Sequence, residues 1–251
     1  MRESIAILLC VASLISVMLA TGAGADDVEA MTIHEASWSG DTAKIAAILD
    51  GGVDVNAPDH LSLTPLHWAA ARGATGALEL LLERGADVHA TDFRGCTALH
   101  RAALLGDIST ATVLIEAGAR IDHRDRIGVT PLHAAVMKRN GAITGMLVDN
   151  GAQIDARALD GRTPLHVAAI EYAPHAADRL LELGADPDAV DDAGLTPLHV
   201  AAMAGFADIV HALIEHGADI AARDGNGATA LELAVEHKQE DVEELLRPAP
   251  E

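Results

Sequence analysis

The residues that first invite a chemical reading are the histidines, thirteen of them in 251 residues. Five recur at a fixed step as His67, His100, His133, His166 and His199, each in fourth place of a Thr-(Pro/Ala)-Leu-His box. Imidazole can ligate metal or move protons. Ligands to one zinc, however, must all lie near ~2 Å from it. With one histidine per box, and boxes on helical units stacked roughly 10 Å apart, the rings cannot converge on one ion. His211 and His216 share one helical stretch but lack an accompanying carboxylate-histidine motif. The chain has no Gly-x-Ser-x-Gly elbow, no phosphate-cradling loop and no acid pair that would sit in a cleft. Its cysteines, Cys10 and Cys96, form no Cys-x-x-Cys motif. No catalytic residue, metal or cofactor is expected, and the chain reads as a non-enzyme.

The boxes themselves specify the fold. Their threonines stand at 64, 97, 130, 163, 196 and 229, a step of 33 residues without an insertion, and a worn copy begins at Met31. Thr can cap a helix, and Pro at the first helical position loses no hydrogen bond that would have formed. Leu then points into the core, and the paired Ala residues let the next unit approach. A second apolar run follows in each unit, for example Leu80-Leu81-Leu82, and ends at Gly52, Gly85, Gly118, Gly151, Gly184 or Gly217, where glycine supplies a left-handed cap. Seven copies at one period predict an all-α solenoid whose terminal units act as caps.

Period, box and Gly-Ala-Asp turn together resemble the ankyrin repeat over roughly residues 29–247. The resemblance implies two antiparallel helices and a β-turn finger per unit, stacked into a curved array that usually binds another protein on its concave face. Repeats are expected near 29–58, 59–91, 92–124, 125–157, 158–190, 191–223 and 224–247. It also implies that each box histidine bonds its own threonine and the neighbouring repeat's backbone. Protonation of those rings at acid pH should then loosen the array. The family's glycine between the two helices stands at Gly40, Gly73, Gly106 and Gly205 but is replaced by Arg139, Tyr172 and Lys238. Those three turns are expected to be irregular, with Asn140-Gly141 taking over one bend and Pro174 starting a helix after another. In the first unit a second helix is expected over Asp41–Leu49. In the last, Lys238, Gln239, Glu240 and Glu243 should form a wet outer face.

Composition fits an array better than one globular core. Half the residues are hydrophobic but only 2% are aromatic, so Ala and Leu must fill thin interfaces between neighbouring units. The formal charge of −21 repels phosphate backbones, which argues against a nucleic-acid partner; the same acidity also serves to keep an Ala-rich surface soluble. Residues 1–25 read as a secretory signal peptide: Arg2, an apolar run from Ile5 to Ala20, and Ala23-Gly24-Ala25 before Asp26. Cleavage would leave residues 26–251 as a repeat domain without stable membrane insertion, an uncleaved anchor being the alternative. Cys10 lies too early, behind Leu8 and Leu9, for a lipid acceptor. The destination is the periplasm if the source is Gram-negative, and otherwise the outside of the cell.

Binding residues are sought where the period leaves side chains free. Finger tips hold His60, Leu61 and Leu63; Phe93, Arg94 and Cys96; Arg126, Ile127 and Val129; Leu159, Asp160 and Arg162; Asp192, Ala193 and Leu195. After the Ala pair of the first helices come Leu104, Leu105, Met137, Lys138, Ile170, Glu171 and Met203. Leu104, Met137, Ile170 and Met203 lie one period apart. They read either as an exposed apolar stripe rimmed by Arg94, Arg126 and Arg162, which suits a protein-binding groove, or as core tucked under the fingers. Phe93, Arg94 and Arg126 are the candidate hot spots. A monomer gripping a protein partner is the expected function. Exported bacterial ankyrin proteins suggest, by resemblance, an accessory that supports or restrains an exported enzyme; a secreted effector on a host protein is the other reading. Cys96, placed at a tip, should be inert or weakly reactive.

Overall fold

The computed structural model describes residues 31–139 and 141–247, so the leader assigned to residues 1–25 lies outside them. From Thr32 onward the chain is one unit built of helix pairs. The first helices are α1 (Ile33–Ser39), α3 (Pro65–Arg72), α5 (Ala98–Leu105), α7 (Pro131–Met137), α9 (Pro164–Glu171), α11 (Pro197–Ala204) and α13 (Ala230–Glu236). Each is followed by its antiparallel partner: α2 (Thr42–Asp50), α4 (Thr75–Glu83), α6 (Ile108–Glu116), α8 (Gly141–Asp149), α10 (Pro174–Glu182), α12 (Ala207–Glu215) and α14 (Glu240–Leu246). First helices pack on first helices and second on second, unit by unit. No described helix is long and apolar enough to cross a membrane.

The core repeats with the sequence. Leu66, Leu99, Leu132, Leu165 and Leu198 are essentially fully buried, as are the Ala pairs after them. Each buried leucine contributes roughly 1.5–3 kcal/mol, and a repeat contributes it only once its neighbour covers it. At the open N-terminal end Trp38 meets Trp68 edge-on, with Arg72 over the Trp38 ring.

Six of the turns between paired helices share one hydrogen-bond geometry. The residue after the turn position donates its N–H five residues back, to Ala36, Ala69, Ala102, Ala168, Ala201 or Ala234. The expectation of irregular turns at Arg139, Tyr172 and Lys238 was wrong. All three adopt the left-handed conformation that glycine takes elsewhere, with φ of 58°, 51° and 59°. Arg139 itself makes the bend at the fourth unit; Asn140 lies outside the described residues. Pro174 does begin α10. The period therefore overrides a local cost of about 1–2 kcal/mol per non-Gly residue.

The first unit departs from the repeat by one residue. Its helix is capped by Thr32, not Met31, and Glu35 returns the capping bond to the Thr32 N–H at 2.8 Å. Asp41 caps α2 instead of belonging to it. At the other end Glu232 closes the same kind of capping box on Thr229. Gln239 and Glu243 are only partly wet: Gln239 is half-buried and donates from Nε2 to the Met203 carbonyl at 3.2 Å.

Candidate partner-binding surface

The fingers are fixed by two sets of bonds. At the base of each, one aspartate oxygen accepts two backbone N–H groups: Asp92 Oδ1 takes those of Arg94 and Cys96 at 2.8 and 2.9 Å, and Asp59, Asp125, Asp191 and Asp224 repeat the pattern. In the fifth unit Ala158 stands in that place, and Asp160 Oδ1 accepts the Arg162 N–H instead. The second carboxylate oxygen is used as well. Trp68 Nε1 donates to Asp59 Oδ2 at 3.1 Å, and Arg101 forms a buried ion pair with Asp92. Burial raises the Asp125 carboxyl above its ordinary range despite the Val129 and Ile127 N–H bonds.

The box histidines tie each unit to the next. The Thr64 N–H can only donate, so His67 Nδ1, 3.2 Å away, is the bare nitrogen. Nε2 therefore carries the proton and donates to the Cys96 carbonyl at 3.0 Å, 29 residues ahead. His100, His133, His166 and His199 make the same pair of contacts, ending on the carbonyls of Val129, Arg162, Leu195 and Ala228. With both ring nitrogens engaged, neither is left to hold an ion. Burial in the neutral form pushes His67, His100 and His133 down to about 4, and His166 down as well.

Leu63, Cys96, Val129, Arg162 and Leu195 were expected to be free of structural duty. Four of them supply the carbonyls that receive the histidines, and Leu63 accepts the Asp59 N–H. Cys96 is no tip residue at all: it is buried, its N–H held by Asp92.

The tips proper are the two residues after each base. They are laced together along the array, Phe93 N–H to Leu61 C=O, Arg126 to Arg94, Leu159 to Ile127, Asp192 to Asp160 and Gly225 to Ala193, at 2.9 to 3.1 Å. One such joint per interface holds successive tips in constant register. A Cβ at Gly194 would come 2.6 Å from the Gly225 nitrogen, so glycine there permits the last joint.

Phe93, Arg126 and Leu159 follow one another in one row, and Arg94, Ile127 and Asp160 run beside them. Leu159 is 66% exposed and Ile127 43%, and the Arg94 guanidinium lies 5.2 Å from the Phe93 ring centre. Leu61, Phe93 and Arg94 are half-buried, while Arg126 and Asp160 are exposed. Arg162 is largely covered, its side chain turned to Asp160 and Asp191. Along the first helices the stripe is mostly roofed. Leu104 is buried, and Met137, Ile170 and Met203 are half-buried; Leu105 and Lys138, one residue on, are the exposed ones.

One exposed cluster went unforeseen. Tyr172 packs on Phe206 with ring centres 4.7 Å apart, Arg139 stands 5.9 Å over Tyr172, and the Tyr172 hydroxyl donates to Asp208 at 3.0 Å. The sequence signal was there in two non-glycine residues at turn positions.

The fingers thus form a laterally bonded stack with side chains displayed at one pitch. A model of the family described as ankyrin repeats (3 copies) matches residues 33–125, 120–191 and 169–250, and the chain belongs to that family. The crystal structure of the human ASB11 ankyrin repeat domain is similar to it, with a TM-score of 0.78 and 30% sequence identity, over 87% of this chain and 99% of that one. In all, 634 solved chains match, so the architecture alone singles out no partner. No match is found among curated proteins.

Proposed function

We propose that this protein is a non-catalytic binding module of the periplasm or the secreted fraction, holding a partner protein on its finger tips and the adjoining groove as an accessory or regulator of an exported enzyme. The observation that carries the reading is the row of five finger joints. It sets Phe93, Arg126 and Leu159 at constant spacing before any partner arrives, which lowers the ordering cost of association. Export rests on the leader in the sequence, and Edman sequencing of mature protein from the exported fraction should begin at Asp26. Photocrosslinking tests the surface itself. A benzoylphenylalanine at position 159 should trap the partner in exported extract, while the same group at exposed Glu116 on α6 should not. Trapping from position 116 alone would place the contact on the outer helices and defeat the reading.

A further inference from the structure

Charge is distributed unevenly along this array, and the unevenness falls on the fingers. Residues 93–162 hold nine Arg or Lys and seven Asp or Glu, whereas the rest of the chain holds eight and thirty-one. The other copies act as internal controls. Where they carry a turn aspartate, at Asp54, Asp87, Asp186 and Asp219, the middle units carry Arg120 and Gln153. Each of those aspartates caps a backbone N–H two residues on, so the middle units forgo a structural bond as well as a negative charge. Ala158 likewise replaces the aspartate at a finger base.

Some of the cations there are paired, Arg101 with Asp92, Arg157 with Asp192 and Arg162 with Asp160, but three at the fingers are not. Arg84, Arg179, Arg223 and Arg247 each have a carboxylate partner, as expected in so acidic a chain. Arg94, Arg124 and Arg126 form no ion pair among the described residues. The Arg94 and Arg126 fingers are joined directly by the Arg126 N–H to Arg94 C=O bond of 2.9 Å. Exposed Ile127 and Leu159 complete the surface.

Resting on the reading of the finger row as the contact surface, we propose that it docks an extended acidic segment of the partner, with carboxylates over Arg94 and Arg126 and an apolar side chain against Ile127 and Leu159. Units roughly 10 Å apart match one turn of an extended polyproline II chain, three residues at about 3.1 Å each, so carboxylates at every third residue share one face and meet successive fingers. Both an acidic peptide and a polynucleotide meet the −21 field of the whole molecule, but the polynucleotide carries charge at higher density and is the more strongly repelled.

The test uses the mature protein and a dye-labelled, end-capped peptide of four Glu-Leu-Ser repeats, read by fluorescence anisotropy at low salt. Binding should weaken about tenfold or more in the Arg94→Glu/Arg126→Glu variant and in moderate salt. Far-UV circular dichroism should stay unchanged and the urea midpoint should shift little, because neither side chain makes an ion pair in the fold and only Arg94 has a ring contact, with Phe93. A Lys-Leu-Ser peptide should bind at least tenfold more weakly than the Glu peptide. Equal binding of the Lys peptide, undiminished binding by the variant, equal binding of a single-stranded oligonucleotide, or no binding of the Glu peptide at all would each overturn the acidic assignment. If position 159 still crosslinks the natural partner in any of those cases, the finger surface stands and only its acidic specificity falls; if it does not, both fail.

Discussion

A buried histidine that accepts from a backbone N–H at one nitrogen and donates to a carbonyl with the other has no room for a second proton. In His67, His100 and His133 burial is the dominant cause of a pKa lowered from 6.5 to about 4, with Asp92, Asp59 and Arg101 facing His67, and Asp160 and Arg124 facing His133. The unfolded chain therefore binds protons first. Stability is complete above about pH 6.5 and is lost as pH falls towards 4, by up to roughly 3 kcal/mol per ring. Urea midpoints between pH 7.5 and 4 should show that fall, and His133→Gln should flatten part of it; an unchanged pH profile in the variant would contradict the assignment. The left-handed residues give a second contrast. Lys238 makes no side-chain hydrogen bond or ion pair among the described residues, so Lys238→Gly should raise stability by about 0.5–1 kcal/mol. Tyr172→Gly should lower it, because the Phe206 contact and Asp208 bond are lost.

The element with the most at stake is the finger. Asp92 holds two backbone N–H groups and the buried Arg101, so Asp92→Ala should cost on the order of 3–5 kcal/mol by stripping the carboxylate from a buried guanidinium. An Asp92→Ala/Arg101→Leu double variant should recover part of that in chemical denaturation. Helices, turns and finger bases were legible in the sequence because Thr, Pro, Leu, His and Gly each do one backbone or packing job at a fixed place. What was not legible depends on neighbours. Cys96 and Leu104 are buried in the stack, which neither residue's own type announces. Arg101 could have been suspected, since the other boxes hold Trp68, Ala134, Val167 and Val200 at that position. The regular left-handed turns at Arg139 and Tyr172 show the stack imposing its geometry on residues that disfavour it.

At the scale of the molecule, units that cannot stand alone become one rigid ridge through histidine bonds below and finger joints above. Of the tip residues anticipated, Phe93, Arg94, Arg126 and Ile127 do share a surface, and Leu159 belongs with them; the apolar stripe of the first helices is largely roofed. The most direct test is the affinity of the crosslinked partner, once purified, for two variants measured side by side. Phe93→Ala/Arg126→Ala should bind about thirtyfold or more weakly with folding retained, while Glu79→Ala/Glu116→Ala on the outer helices should bind like the unmodified protein. Undiminished affinity in the finger variant, or a comparable loss in the outer-helix variant, would contradict the account.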